Sequence, residues 1–96
     1  MSRYPLTIVI TESFKHDYQS FIKGKTALEK RMRNYIDLLK NGRQCSGMNL
    51  EKIKGFDIKG LKSVRLNDEM RMSVIIADKI FLLRINHHDN LYKTPL

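Results

Sequence analysis

The amino-acid sequence predicts an α+β domain, with helices packed on one face of a mainly antiparallel sheet. The elements follow in the order of one apolar strand, two amphipathic helices and then several short strand-like runs. The chain has 96 residues, of which 42% are hydrophobic, enough for a core of its own. Because no repeat, low-complexity segment or linker interrupts it, residues 1–96 are predicted to form a single domain.

The first strand and the first helix follow each other closely. Residues 5–11, "PLTIVIT", are β-branched and apolar behind Pro5, which is typical of a strand. Residues 13–24 repeat apolar side chains every three or four positions and end at Gly24, which predicts a short helix. Ser13 is the predicted N-cap of this helix.

A longer second helix is predicted from Thr26 to Gly42. Thr26 and Glu29 have the spacing of a capping box, and Gly42 is a typical C-terminal residue. Two or three residues separate this helix from the first one, which favours an antiparallel helical hairpin.

The second half of the chain predicts β-strands. A polar loop over residues 43–48 leads to the candidate strand "LEKIKG" at 50–55. Three longer strand-like runs follow at 61–66, 70–76 and 79–86.

The alternation of side chains predicts how these last strands pair. A three-residue loop at 67–69 keeps the apolar side chains of two strands on one face, whereas a two-residue loop would mix the faces. This loop pairs Leu66 with Met70, Arg65 with Arg71, Val64 with Met72 and Ser63 with Ser73.

The same reasoning predicts the register of the final pair of strands. Pairing Ile75 with Ile80 places Val74 opposite Phe81, Met72 opposite Leu83 and Met70 opposite Ile85, so that one face is wholly apolar. The other face then carries Ser63, Arg65, Arg71, Ser73, Leu82 and Arg84.

Three arginines, Arg65, Arg71 and Arg84, are therefore expected side by side across three strands. Like charges directly opposite destabilise a sheet by up to about 1 kcal/mol a pair, and no strand supplies an acid to this face. An external anion would account for the row, since the guanidinium fork suits phosphate. An acidic protein partner and plain solvation remain alternatives. Lys52 and Lys54 would extend the row if their strand joined the sheet.

The C-terminal segment "RINHHDNLY" adds candidate catalytic residues. Continued alternation places His88 on the arginine face and His87 toward the core. A histidine beside arginines favours its neutral form, which suits a base near neutral pH. Asp89 would orient His88 or pair with an arginine, and Tyr92 lies one helical turn beyond His88. We expect no zinc, because no third or fourth ligand lies nearby.

Charge and composition point to a polyanionic partner. Eighteen Lys and Arg against ten Asp and Glu give a net charge of +8, spread along the whole chain. Such an excess attracts nucleic acid. Cys45 is the one cysteine, so no internal disulfide forms. The run Leu6 to Ile10, four apolar residues and Thr7, is too short for a signal peptide or a membrane span, so we expect a cytoplasmic protein.

The segments "KIKG", "LKSVRLNDEMRM" and "DKIFLLRINHHDNLY" resemble the RelE/ParE superfamily of toxin–antitoxin toxins. The resemblance spans nearly the whole chain and is most specific over residues 60–92. It implies a helical hairpin before a β-meander. The RelE branch is known as ribosome-dependent mRNA endonucleases and the ParE branch as DNA gyrase poisons. Members are usually held inactive by an antitoxin.

The resemblance also assigns residues. Arg71 matches the arginine that contacts the scissile phosphate, and Tyr92 matches a C-terminal tyrosine of many ribonuclease members. Some of those members have a basic residue where this chain has Asn86, and Arg84 or His88 would have to replace it. The "HHD" sequence is also similar to RelE-like domains attached to DNA helicases.

The leading hypothesis is an mRNA endonuclease of the ribosomal A site that needs no cofactor. The expected partners are mRNA, the ribosome and a cognate antitoxin protein, with no membrane, and with DNA only through an antitoxin complex. The candidate catalytic residues are Arg65, Arg71, Arg84, His88 and Tyr92, and the candidate RNA-binding residues are Lys52, Lys54, Lys62 and Asp89. A gyrase inhibitor and a non-catalytic RNA- or protein-binding module are the alternatives.

Overall fold

A computed structural model describes residues 3–96 of the chain. Its elements are β1 (Thr7–Ile10), α1 (Glu12–Phe21), α2 (Thr26–Lys40), a 3-10 turn (Ser46–Met48), β2 (Glu51–Lys52), β3 (Leu61–Arg65), β4 (Met70–Ile76), β5 (Lys79–His87) and α3 (His88–Lys93). The five strands have the spatial order β1-β5-β4-β3-β2. Only the β1–β5 pair is parallel, so the predicted α+β class with a mainly antiparallel sheet is confirmed.

Helix α1 begins one residue after β1, and its cap differs from the prediction. Thr11, not Ser13, is the N-cap, and its hydroxyl accepts a hydrogen bond from the N–H of Phe14 at 3.2 Å. The same hydroxyl lies 2.9 Å and 3.1 Å from the carbonyl oxygens of Leu82 and Leu83, to which it donates. Thr11 therefore fixes the start of α1 against β5.

Helix α2 does not use the predicted capping box. Its N-cap is Lys25, which makes no side-chain capping bond, and Thr26 is the first helical residue. Glu29 instead accepts a hydrogen bond from the Tyr18 hydroxyl and one from Arg33 at 2.9 Å. The bond to Glu29 raises the pKa of Tyr18, and it joins the two helices.

The hydrophobic core lies between this helical pair and one face of the sheet. Helix side chains meet the apolar side chains of β3, β4 and β5 in one cluster. Its most buried members include Phe14, Ile22, Leu28, Met32 and Leu39 from the helical half, and Val64, Met72, Val74, Ile80, Leu82 and Ile85 from the sheet. None of the helices within residues 3–96 combines the length and the apolar surface that crossing a membrane requires.

The register of β3 and β4 confirms the prediction. Val64 lies opposite Met72, Ser63 opposite Ser73, and Arg65 opposite Arg71. Leu66 follows the end of β3 and its N–H donates to the carbonyl oxygen of Met70 at 2.9 Å. The three-residue turn therefore holds both strands as the alternation required.

The predicted register of β4 and β5 is wrong. The observed pairs are Met70 with His87, Arg71 with Asn86, Met72 with Ile85, Ser73 with Arg84 and Val74 with Leu82. The pairing begins one residue away from the prediction, with Ile76 and not Ile75 opposite Ile80, and a β-bulge at Leu83 shifts the pairs beyond it by one more residue. Leu82, predicted beside the arginines, lies in the core and is 1% exposed. Phe81, predicted in the core, is half-buried outside the core cluster.

Candidate functional site

The sheet face opposite the α1–α2 pair carries the predicted arginine pair and several polar side chains. Cross-strand pairing places Ser63 and Ser73 on this face together with Arg65 and Arg71. Helix α3 and the segment after it cover the two serines, and the buried Ser73 hydroxyl donates to the carbonyl oxygen of Pro95 at 2.6 Å. The arginine end of the face is half-exposed.

Arg65 has a partner that the sequence prediction did not include. Its guanidinium forms an ion pair with Asp68, which belongs to the turn between β3 and β4. The expectation that no strand supplies an acid to neutralise this face overlooked the turn. Since Asp68 is 89% exposed, solvent weakens this pair.

Arg71 is held differently. One of its terminal nitrogens donates to the carbonyl oxygens of Asn67 at 2.6 Å and Met70 at 3.1 Å. The Asn67 side chain in turn accepts from the N–H groups of Glu69 and Met70, which fixes the turn. Within residues 3–96, no carboxylate pairs with Arg71. Its half-exposed positive charge is therefore positioned but not neutralised.

Arg84 does not belong to the arginine row, contrary to the prediction. It lies opposite Ser73, not Arg71, and its side chain forms a two-point ion pair with Asp17 of α1. The nitrogen–oxygen distances are 2.7 Å and 3.1 Å, and Asp17 is 3% exposed. The hydrogen bond to Asp17 raises the pKa of Arg84.

The edge of the sheet explains why Asp17 is there. Strand β1 ends opposite Leu82, so the remainder of β5 has an outer edge with no strand beside it in the described part of the chain, residues 3–96. The carboxylate of Asp17 accepts the N–H of Ile85 at 2.9 Å and so satisfies a backbone donor at this edge. The sequence held one signal for this role, because Asp17 lies between Phe14 and Phe21 on the apolar stripe of α1.

The predicted contact between His88 and Tyr92 is present. Their ring centroids are 4.8 Å apart and the rings meet edge to face, one turn apart on α3. The Nδ1 atom of His88 lies 3.1 Å from a carboxylate oxygen of Asp89. The backbone N–H of His88 donates to the carbonyl oxygen of Glu69, which places this residue beside the turn that holds Arg71.

The Tyr92 hydroxyl is fixed by two partners. It lies 2.9 Å from Ser63 Oγ and donates to a carboxylate oxygen of Glu51 at 3.2 Å. Glu51 was not among the predicted site residues. Its pairing with Ser63 places it on this face, and only the register of β2, which two residues of strand cannot predict, reveals it. His87 was predicted to lie toward the core, and its ring centroid is 5.7 Å from that of Phe21 in α1.

The predicted extension of the arginine row by lysines is wrong. Strand β2 does join the sheet, but Lys52 lies opposite Lys62, and Lys62 lies opposite the core residue Val74. These two lysines therefore lie on the other face from Arg65. Lys54 follows β2 and is exposed. Within residues 3–96, no three His, Cys, Asp or Glu side chains gather as a metal site.

Comparison with known proteins finds similar solved structures. No family model matches the sequence, and no curated protein matches it. The structure of the YoeB dimer from Staphylococcus aureus is similar to this chain, with 23% sequence identity and a TM-score of 0.72. The match covers 88% of this chain and 98% of the YoeB chain. The YoeB/ParE toxin from Agrobacterium tumefaciens is 19% identical with a TM-score of 0.72, over 86% and 99%.

A third similar structure is the DinJ–YafQ toxin–antitoxin complex of E. coli. Its matching chain is 18% identical with a TM-score of 0.69, over 90% of this chain and 97% of that one. Identities this low show a shared fold. The fold of this chain is thus the RelE/YoeB-like fold of toxins from type II toxin–antitoxin systems, as the resemblance implied.

Proposed function

We propose that the protein is the toxin of a toxin–antitoxin system and an endoribonuclease that cleaves mRNA on the ribosome. One observation carries the proposal. Arg71 presents a positioned guanidinium without a carboxylate partner among residues 3–96, on the sheet face where α3 holds His88 and Tyr92. A fixed cation beside a titratable ring suits a phosphodiester substrate.

The chemistry requires no metal because RNA carries its own nucleophile. The 2′-OH attacks the adjacent phosphorus and the bond to the 5′ oxygen breaks, which leaves a 2′,3′-cyclic phosphate and a 5′-OH. One group must accept the proton of the 2′-OH, and another must donate a proton to the leaving oxygen. Fixed cations must stabilise the charge that builds on the phosphorane.

The arginines differ in the roles that we assign to them. Arg71 binds the scissile phosphate directly. Arg65 joins it by exchanging the exposed Asp68 for a phosphate oxygen. Arg84 is a positioning residue, since Asp17 already occupies its guanidinium.

The C-terminal helix supplies the proton-transfer group in this proposal. His88 is half exposed, and since its Nδ1 contacts Asp89, we assign the role of base or acid to Nε2. Tyr92 supports the His88 ring from the side and is itself held by Ser63 and Glu51.

Translation of a defined mRNA with purified ribosomes and the purified protein tests the proposal. We expect cuts at defined positions, and none with an Arg71→Ala protein of the same folded content. Intact mRNA together with inhibited DNA supercoiling would favour the gyrase alternative. Intact mRNA with unaffected supercoiling would contradict both toxin targets.

An apolar groove offers a surface for the proposed antitoxin. It has a volume of about 380 Å³ and lies where β1, α1 and α2 meet, with Lys15 and Arg33 among its lining residues. Ile10 in this groove is 47% exposed. We propose that an apolar antitoxin segment with acidic flanks binds here. The structures of the DinJ–YafQ toxin–antitoxin complex and of the YoeB–YefM complex contain chains of similar fold bound to another protein.

A single substitution separates neutralisation from cleavage. Ile10→Asp should abolish neutralisation by the co-expressed antitoxin while mRNA cleavage by the purified protein is unchanged. Lys79→Asp, an exposed residue of β5 outside the groove, is the control. Neutralisation of the Ile10→Asp protein at the parental level would place the antitoxin elsewhere.

A further inference from the structure

Three lysines gather at the β2 edge of the sheet, away from the arginine face. Lys52 and Lys62 are direct cross-strand neighbours, and Lys59 lies in the loop between their strands. Within residues 3–96, no carboxylate forms an ion pair with any of them. A like-charged pair directly opposite destabilises a sheet, so an anion bound between these lysines would relieve a repulsion present in the free protein.

The lysines line a cleft that also contains an aromatic ring. The cleft has a volume of about 340 Å³, and Phe56 and Ile58 form part of its wall. Phe56 is half-buried, so a part of its ring is accessible. Asp57 lies at the same cleft, which leaves an excess of two positive charges among the lining side chains.

The loop that carries Phe56 and Lys59 is fixed at its end. Gly60 has φ +84°, and a Cβ atom there would lie 2.4 Å from the carbonyl oxygen of Ile76. The carbonyl oxygen of Gly60 accepts the N–H of Ile76 at 2.9 Å. Only glycine permits this approach to β4, so the cleft is formed before any ligand binds.

We infer that this cleft is a second RNA-binding site, which holds phosphates of a single strand on Lys52, Lys59 and Lys62 and stacks a base on Phe56. The inference rests on the proposed function, since it takes RNA as the substrate. Lysines as point charges bind the backbone without sequence preference, and an aromatic face stacks any base. An acidic peptide would use the lysines and leave the ring without a role.

The position of the cleft has a consequence for the path of the RNA. Lys52 and Lys62 lie on one face of the sheet, and Arg71 lies on the other face. Strand β2, which contains Lys52, is the edge strand on this side of the sheet. RNA bound at the arginine face can therefore continue around the β2 edge into the cleft. Such a second contact strengthens binding without taking part in the cleavage step.

The test measures binding of a fluorescent 2′-O-methyl oligouridine of twelve nucleotides, which cannot be cleaved because its 2′ oxygens are blocked. Fluorescence anisotropy is followed over a series of salt concentrations. We expect the Lys52→Gln/Lys62→Gln protein to lose about 1.4 from the slope of log K against log salt, since each single-strand phosphate contact contributes about 0.7. Phe56→Ala should weaken binding about fivefold or more at an unchanged slope.

The control is Lys23→Gln/Lys30→Gln, which removes the same charge from two exposed lysines of the helical half. This pair should leave the slope close to that of the parent. Equal loss of slope in both double variants would overturn the inference, because general charge would then explain the binding. Thermal melting should show all three variants folded, and Lys59→Gln provides a second charge variant.

Two further measurements distinguish the second RNA site from a site for an acidic protein and from the proposed cleavage activity. A poly-glutamate peptide that binds the parent but not the Lys52→Gln/Lys62→Gln protein, with RNA binding unchanged, would assign the cleft to an acidic protein and overturn the inference. Cleavage on the ribosome reports the proposed function separately. Loss of oligouridine binding in the cleft variants would support the second site even if the parent cut no mRNA.

Discussion

Replacement of Asp17 by alanine should be the most damaging single change at the edge of β5. The carboxylate is 3% exposed and has three donors: two guanidinium nitrogens of Arg84 and the backbone N–H of Ile85. Alanine removes all three bonds at once and leaves an arginine and a buried backbone donor without their acceptor.

The magnitude follows from what remains after the change. A buried backbone N–H without a partner costs about 1–3 kcal/mol. Breaking a fully buried ion pair costs about 3–5 kcal/mol, but the Arg84 side chain is 28% exposed and can turn to water, so we assign about 1–2 kcal/mol to it. The sum is about 3 kcal/mol, which lowers the melting temperature of a domain this size by about 12–24 °C.

Asparagine provides the informative comparison. Asp17→Asn retains an oxygen that can accept from Ile85 but loses the charge that binds Arg84, so about 1–2 kcal/mol should be lost. Urea unfolding followed by circular dichroism measures both variants, with Glu12→Ala as the control. Glu12 forms an exposed pair with Lys15, and its loss should change the free energy of unfolding by no more than about 0.5 kcal/mol. If the alanine and asparagine variants unfold alike, or if Asp17→Ala costs less than about 1 kcal/mol, the assigned role of Asp17 is wrong.

Three other predictions concern the proposed site. Arg71→Ala should reduce RNA cleavage about 100-fold or more, yet change the free energy of unfolding by no more than about 1 kcal/mol. Its partners are two backbone carbonyl oxygens, of which that of Met70 keeps the N–H of Leu66 as a donor, and relief of repulsion with Arg65 offsets the lost bonds. A cleavage assay beside a thermal melt checks this, and Arg71→Lys should restore activity only in part. Tyr92→Phe removes the bonds to Ser63 and Glu51 and should cost about 1 kcal/mol in urea unfolding; no loss would mean that these bonds do not anchor α3. Binding of RNA to the parent, measured by anisotropy, should weaken steeply between 50 and about 200 mM salt, and a flat response would contradict binding through several phosphates.

The sequence was sufficient for the fold class and for one of the two main strand pairings. The turn between β3 and β4 is short, and unbroken alternation on both sides of it allows a single register, so Arg65 opposite Arg71 was predictable. The pairing of β4 with β5 was not. The apolar run 80–83 has no alternation to show that Ile76, not Ile75, lies opposite Ile80, and a β-bulge at Leu83 then returns Arg84 and Ile85 to the faces that were predicted for them.

The two acidic residues that sequence reasoning missed were missed for different reasons. Asp17 binds an edge of β5 that exists only because β1 stops at Ile10, which is a property of the assembled sheet. Glu51 reaches Tyr92 because two residues of β2 pair with β3, a strand too short for alternation to predict its face. Both contacts join residues more than forty positions apart, and propensity and periodicity report only local order.

The three arginines look equivalent in the sequence, but in the structure each one binds a different kind of acceptor. Arg84 binds a buried carboxylate at two points, so a phosphate would have to displace an acceptor that also satisfies a backbone N–H. Arg65 binds an exposed carboxylate that solvent already weakens, so exchange for a phosphate oxygen costs little. Within the described residues 3–96, Arg71 binds neutral carbonyl oxygens and no carboxylate, so it retains its full charge for an incoming anion. A phosphate should therefore bind Arg71 first and then Arg65, while Arg84 keeps its ion pair with Asp17 of α1.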